Sequence, residues 1–399
     1  MTASPTATPT VDLDPMVLFA DPYPLYAQLR RDTPVAYVPA MGRLLVTRYE
    51  DVVTVSRDWE TFSAREDTPG PEHKIIGETL MSFDGEEDHL RLRRMMDAPL
   101  KPRALREHWE PVFRANAAAL LDDLAGRGEA DLFADFATPL AAMNLASFLG
   151  FEGVSAQQLI DWCKGIIDAG GGYMLDDAGI WERGFAARDG VIAATDAAAD
   201  RVRGNPDPSM ISSIINSPEP MTPQQLYSNI MITIGGGLNE PRDVLLTAAY
   251  GLLTNPDQLA AVRAEPSLWK KTFEEACRWV SPIGMFIRQV ARPVELGGVR
   301  LQPGDKITGV VASANRDERV YADPDVFDIH RKGPSHVAFG GGGPHFCIGA
   351  WAARASIGTI ALPALFDRLP NLRLDPEREV PWGGFVFRGP LAMPVRWDA

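Results

Sequence analysis

The sequence predicts a mainly α-helical domain with small β-sheets near its two ends. Three observations carry that prediction. Between residues 89 and 280 apolar positions recur at helical spacing, with breaks such as residues 204–208. Strand-like patterning is confined to residues 35–46, 293–310 and 371–397. No Gly/Ser-rich linker divides the 399 residues, so one domain is expected over residues 15–399.

Residues 1–14 are rich in Thr, Pro and Ala, with no basic start and no apolar run. A disordered tail is expected there, not a signal peptide. Asp21-Pro22-Tyr23-Pro24 caps a short helix over residues 25–31. Residues 35–46 alternate around Met41-Gly42, a hairpin signal, and residues 51–56 return to helix. Residues 66–78, with Pro69-Gly70-Pro71, read as a polar loop. Helices are expected over residues 89–98, 107–124, 139–149, 156–167 and 185–203. Thr222-Pro223-Gln224-Gln225 opens a long helix to about Leu253. Proline suits its first turn, and Gln225 stands where a capping box needs it. Helices over residues 256–264 and 268–280 follow. Residues 293–310 form a hairpin region, with a turn at Gly297-Gly298 and then Pro303-Gly304. A last helix covers residues 351–369.

Composition excludes several classes. The net charge of −14 makes nucleic acid and anionic membrane poor partners. Cys163, Cys277 and Cys347 are far apart, without disulfide or zinc spacing, and fit a reducing compartment. No run of about 20 apolar residues could span a membrane. A cytoplasmic protein is therefore expected. The glycines of residues 340–343 lack the Gly-Lys-Ser/Thr of a phosphate loop.

The densest chemistry lies in Ala338-Phe339-Gly340-Gly341-Gly342-Gly343-Pro344-His345-Phe346-Cys347-Ile348-Gly349-Ala350. A single cysteine after a glycine-rich loop, just before a helix, sits among backbone N–H groups that favour the thiolate. Such a sulfur can be a nucleophile, a redox centre or an axial ligand to haem iron. A buried, inert cysteine beside a turn is the plain alternative.

With Gly343 four before the cysteine, His345 two before and Gly349 two after, the loop resembles the haem-binding loop of the cytochrome P-450 family of haem-thiolate monooxygenases. It departs from the family pattern in carrying one extra glycine: Gly340 stands seven before the cysteine, and the aromatic Phe339 one further out. The resemblance runs from Pro22-Tyr23-Pro24 to the last strand. It implies the cytochrome P-450 fold and haem b with an axial thiolate from Cys347. Glu275 and Arg278 lie on one helix face. Followed by Arg288, a β-hairpin, Ala314-Asn315-Arg316-Asp317, Pro324, Phe327 and Arg331, they match the family's clamp, in which Glu275, Arg278 and Arg331 lock together behind the haem. His89 and Arg93, one helical turn apart, suit an anion. The resemblance makes that anion the haem propionates, with Arg288 and His345 completing the set, and adds Phe339 and Gly349 of the loop to the cofactor-binding residues.

The long helix carries Ile234-Gly235-Gly236-Gly237-Leu238-Asn239-Glu240-Pro241-Arg242. Glycines cost about 1 kcal/mol each against Ala in a helix, and proline favours a kink. The resemblance places the oxygen-binding face here, with an acid and a threonine delivering protons. This chain has Asn239 and Glu240 in their place, so Glu240 is expected to relay protons or to order water. The Asn-Glu-Pro pattern and the ending Trp382-Gly383-Gly384-Phe385-Val386-Phe387-Arg388-Gly389-Pro390 are similar to the group that includes guaiacol O-demethylases.

The expected function is oxygen activation with electrons from separate partners, either a ferredoxin with its reductase or an iron-sulfur flavoprotein reductase. The expected substrate is a small, mostly apolar molecule, hydroxylated or O-dealkylated. Its pocket is expected at Ile232, Gly236, Ile283, Phe286, Phe385 and Val386. A peroxide-driven peroxygenase and a non-catalytic haem sensor or redox carrier are the alternatives.

Overall fold

The computed structural model describes residues 8–68, 70, 73–171 and 178–398. They form two units, each assembled from distant stretches of chain. The first comprises Met1–Asp67, Asp243–Cys347 and Glu379–Met393. The second comprises Thr68–Arg242, Ile348–Arg378 and Pro394–Ala399.

The first unit is built on a five-stranded sheet. In spatial order its strands are Val35–Val38, Arg43–Val46, Lys306–Gly309, Phe286–Val290 and Phe62–Ser63. Arg43–Val46 and Lys306–Gly309 are parallel and the other neighbours antiparallel. Period-2 geometry sends Leu44 and Val46 into one apolar cluster, with Val52, Phe62, Ile307 and Val337. Leu45 points into another, with Leu18, Tyr26, Leu29 and Val310. The sheet is thus buried on both faces. The expected turn at Met41-Gly42 is present, with Gly42 at φ 62°.

Three expectations change. Residues 1–7 lie outside the described residues, but the rest of the expected tail is ordered. Tyr37 donates its amide to Pro9 and accepts from Val11, and Asp14 caps the helix Pro15–Ala20. A remote edge strand supplies those partners, which local composition cannot reveal. In the polar loop, Pro69, Pro71 and Glu72 lie outside the described residues, while His73–Ile76 is helical and Glu66 is buried against Arg43 at 2.7 Å. In the hairpin region, Val294–Leu296 and Val299–Leu301 pair across Gly297 and Gly298, whose φ of 56° and 80° fit a type I′ turn. Lys306–Gly309 leaves that hairpin for the large sheet.

The second unit is helical, with a three-stranded sheet of Glu129–Asp131, Pro394–Arg396 and Arg373–Leu374. Several expected α-helices begin or continue as wider π turns. These are Gly85–Leu90, Leu105–Trp109, Phe133–Ala137 and Arg354–Ala361. The last three each end two residues before a proline: Pro111, Pro139 and Pro363. A proline removes one N–H donor and crowds the carbonyl four residues back, and a wider turn relieves both. The residue 89–98 helix is a π turn containing His89 followed by the helix Arg91–Asp97. The long helix Pro223–Leu253 runs through Pro241. Its capping box is formed: the Thr222 amide donates to Gln225 Oε1 at 3.1 Å and the Gln225 amide to Thr222 Oγ1 at 3.3 Å.

Candidate functional site: the cysteine loop and the glycine helix

Within the first unit, the helix Leu268–Val280 buries Glu275 and Arg278 on one face, at 5% and 2% exposure. Arg278 forks onto Glu275, Nη2 to Oε1 at 2.7 Å and Nε to Oε2 at 2.8 Å. Arg331 Nε reaches the same Oε1 at 3.2 Å. The two guanidiniums also donate to backbone carbonyls, Arg278 to Asn315, Pro324 and Val326, and Arg331 to Ala322, Asp323 and Val326. The three clamp residues named from the sequence therefore meet, and they fix the meander that leads to the cysteine.

Asn315 extends this web, a role that its place in Ala314-Asn315-Arg316-Asp317 does not signal. It is fully buried. Its amide donates to Ser281 Oγ at 2.8 Å, and its Oδ1 accepts the Val337 amide at 2.8 Å. Asp317, also fully buried, accepts the amides of Tyr49 and Arg319 and the Arg319 guanidinium. Burial pushes its carboxyl up, but these hydrogen bonds outweigh burial and hold it below the usual range.

The glycine run has a physical reason. Gly340 and Gly342 adopt φ of 89° and 90°. Gly343 lies flush on the helix Tyr49–Arg57, where a Cβ would come within 1.9 Å of the Ser56 carbonyl oxygen. Ser56 Oγ accepts the Gly341 amide at 3.0 Å, and Arg57 Nε donates to the Gly341 carbonyl at 2.6 Å. The extra glycine is absorbed in this turn, and the Cys347 amide closes it by donating to the Phe339 carbonyl at 2.8 Å. The Phe339 ring stacks on Phe273. The Cys347 thiol is exposed, whereas Cys163 and Cys277 are buried. His345 is half-buried two residues before it. Gly349 has φ −80° and accepts the Ala353 amide, opening the helix Ala350–Ala353.

Arg288 lies on the strand Phe286–Val290 opposite Ile307, 4% exposed, with its guanidinium over the Phe286 ring and donating to the Ile287 carbonyl. Ile283, Phe385 and Val386 come together: Ile283 bridges to Phe387, and the Gly284 amide donates to Val386 at 2.8 Å. Two residues named for the pocket are half-buried and pack against core clusters. Phe385 lies on the Leu18, Tyr26 and Leu45 cluster. Phe286 lies on the sheet cluster with its ring over Gly309. Val386 and the neighbouring Ile287 are exposed. Arg388, 5% exposed, ties this turn to the carbonyls of Phe19 and Ala20, a link of 369 and 368 residues that sequence spacing does not signal.

Within the second unit, the long helix shows two faces. Asn239 is buried, its amide donating to Gly235 at 3.2 Å and directed at Cys163 Sγ at 3.5 Å. Burial, reinforced by the Glu240 carboxylate, pushes the Cys163 thiol up to about 12. Asn239 is therefore committed to the seam with the helix Ala156–Gly171. Glu240 folds back along its own helix, its Oε1 3.3 Å from where a Gly236 Cβ would stand. Gly236 is exposed and Ile232 half-buried. His89 is fully buried, with Nδ1 donating to the Leu80 carbonyl at 2.8 Å, and Arg93 is half-buried one turn on.

Comparison with known proteins gives this geometry a family. The profile described as Cytochrome P450 matches residues 261–368, which hold the clamp and the cysteine loop. Nocardicin C N-oxygenase of Nocardia uniformis subsp. tsuyamanensis is 33% identical over 401 residues, 96% of this chain and 97% of that protein. The chain belongs to the cytochrome P450 family. The 6-deoxyerythronolide B hydroxylase of Saccharopolyspora erythraea is 30% identical over 412 residues, 98% of this chain and all (100%) of that protein. Among solved structures, P450BioI in complex with an acyl carrier protein ligated to hexadec-9Z-enoic acid superposes with a TM-score of 0.86. That match is 25% identical and covers 96% of this chain and 100% of that one. The protein is a P450 monooxygenase, an oxidoreductase with the P450 fold, and its cofactor is haem with a cysteine thiolate as axial ligand. The names of these relatives lend nothing to the narrower guaiacol O-demethylase resemblance.

The residues present fit that cofactor. The exposed thiol has the donor chemistry that haem iron takes, and it sits on a loop fixed by backbone bonds at both ends. Imidazole and guanidinium groups at His89, Arg93 and Arg288 have the chemistry that propionate carboxylates take. Among the described residues, no helix is long and apolar enough to cross a membrane.

Proposed function

We propose that Cys347 is the axial thiolate, that His89, Arg93, Arg288 and His345 hold the propionates, and that a small, mostly apolar organic molecule is oxidised with dioxygen. The observation that carries this reading is the exposed Cys347 thiol on a loop whose glycines lie against the helix Tyr49–Arg57. When bound, haem with an axial thiolate supplies dioxygen activation, one oxygen atom entering a substrate C–H bond and the other leaving as water.

The chain's own residues do the rest. The clamp and Asn315 keep the meander rigid, so the sulfur is held in place before the cofactor arrives. His89 Nδ1 donates to a carbonyl, so that nitrogen carries a proton; a propionate at Nε2 is then met by the imidazolium. Glu240 holds the only carboxylate in the glycine segment, residues 234–242, and we assign it proton delivery at its Oε atoms. Asn239 stays in the seam and orients that turn. Ile232, Gly236, Ile283 and Val386 are assigned to substrate contact, with Phe286 and Phe385 acting as packed support. Where the oxidised C–H adjoins an ether oxygen, the hemiacetal product collapses to an alcohol and an aldehyde, which is the O-dealkylation outcome. Electrons are assigned to a ferredoxin with its reductase or an iron-sulfur flavoprotein reductase.

The test is product formed per electron consumed, with aryl ethers and unsubstituted arenes, in wild type and Glu240→Gln. A drop in that ratio with electron uptake retained supports proton delivery; an unchanged ratio removes Glu240 from the role. A peroxygenase reading draws on the same Glu240 placement and on Asn239 being committed elsewhere. Turnover with peroxide alone, unmatched by dioxygen with reductant, would establish it.

A further inference from the structure

Glu275 is flanked on its helix by residues that reach the cysteine loop themselves. Phe273 stacks on Phe339 with ring centroids 6.2 Å apart and planes at 19°. Glu274 Oε2 lies 3.0 Å from Nε2 of His336. The His336 ring is 5.7 Å from that of Phe339. Three consecutive helix residues therefore hold three successive points of the chain leading to Cys347: Arg331, His336 and Phe339.

Hydrogen bonding settles the tautomer of His336. A carboxylate accepts, so Nε2 carries the proton. The Ala338 amide donates to Nδ1 at 3.2 Å, so Nδ1 carries none. One neutral imidazole satisfies both contacts. Its side chain is 6% exposed, so water has little access to replace either. Beside it, Val337 donates to Asn315 and accepts from Gly340, and Phe339 accepts from Cys347.

We propose that His336, oriented by Glu274, is a positioning residue for the thiolate. It fixes the backbone at Ala338-Phe339, and the Phe339 carbonyl then fixes the Cys347 amide beside the sulfur. This rests on Cys347 being the axial ligand. Hydrogen bonding around the sulfur is one of the levers that sets a haem-thiolate potential.

The test uses the holoenzyme and two substitutions. His336→Phe keeps a ring and loses both bonds; His336→Asn places Oδ1 where Nδ1 stood and can still accept from Ala338. Amide hydrogen exchange over residues 337–347 and the midpoint potential are read for each. The Phe variant is expected to speed exchange at the Ala338 and Cys347 amides about tenfold, as loss of one hydrogen bond gives, and to shift the potential. The Asn variant is expected to return both toward wild type. Wild-type exchange and potential in the Phe variant overturn the proposal, as does an Asn variant that behaves like the Phe variant. If His336→Phe does not fold, Glu274→Ala against Glu274→Gln makes the same comparison: a loosened loop in Ala alone supports the proposal, and identical behaviour overturns it. The wild-type reduced carbon monoxide spectrum separates the premise. Without a strongly red-shifted Soret band the ligand assignment falls and the proposal with it. With that band present, unchanged variants overturn the proposal alone.

Discussion

The two halves of the candidate machinery are built on opposite plans. The chain leading to Cys347 is tied down by side chains: Glu275, Arg278, Arg331, Asn315, Ser56 and Arg57 all hydrogen-bond its backbone. The glycine segment of the long helix is bare at one position instead. Gly236 is exposed, while Gly235 and Gly237 let the side chains of Ile167 and Leu145 pack close to the helix. A ligand atom that must not move is given directional bonds. A surface assigned to substrate and oxygen is left without a side chain at Gly236.

The contrast breaks most readily at the clamp. Arg278→Ala leaves Glu275 buried without its bidentate partner and frees several carbonyls. It should cost about 3–5 kcal/mol, read by urea unfolding. Gly343→Ala drives a Cβ to 1.9 Å from the Ser56 oxygen and should cost about 1–3 kcal/mol, with faster amide exchange in the loop. Gly236→Ala should have the opposite sign. Its Cβ meets only Glu240 Oε1, at 3.3 Å, so stability should rise by up to about 1 kcal/mol while turnover falls.

The pH dependence sharpens the same contrast. Asp317 in the rigid half titrates below the usual carboxylate range when folded. Its stabilisation is present above the unfolded value and is lost as pH falls through the folded one, so acid unfolding should steepen there, and Asp317→Asn should flatten it. Cys163 behind the glycine helix is raised to about 12. It binds its proton more tightly folded than unfolded, so stability should fall as pH rises above about 9, an effect absent in Cys163→Ala. The smallest effect belongs to neither half: Glu107→Gln breaks an exposed pair with Arg103 and should cost at most about 0.5 kcal/mol.

What could be read from the sequence follows the range of the interaction. Glu275 and Arg278 share a helix face three residues apart, and Thr222 and Gln225 form a local cap, so both were legible. The cysteine loop was legible because glycine, proline and cysteine carry their own conformational demands. Arg388, Asn315 and the pairing of Pro9–Val11 with Tyr37 were not, because their partners lie far off in the chain. Phe385 and Phe286 carry only apolar character, which suits a pocket wall and a core edge equally well, and both are half-buried against core clusters. The wider turns before Pro111, Pro139 and Pro363 had a signal in those prolines, which periodicity alone passes over.

The most direct measurement is the absorbance spectrum of the purified protein, reduced and saturated with carbon monoxide, for wild type, Cys163→Ala and Cys347→Ala. The account predicts a strongly red-shifted Soret band in wild type and Cys163→Ala, and its loss in Cys347→Ala. A well-folded wild type that shows an imidazole-type carbonyl spectrum, or a Cys347→Ala variant that keeps the red-shifted band, would contradict it.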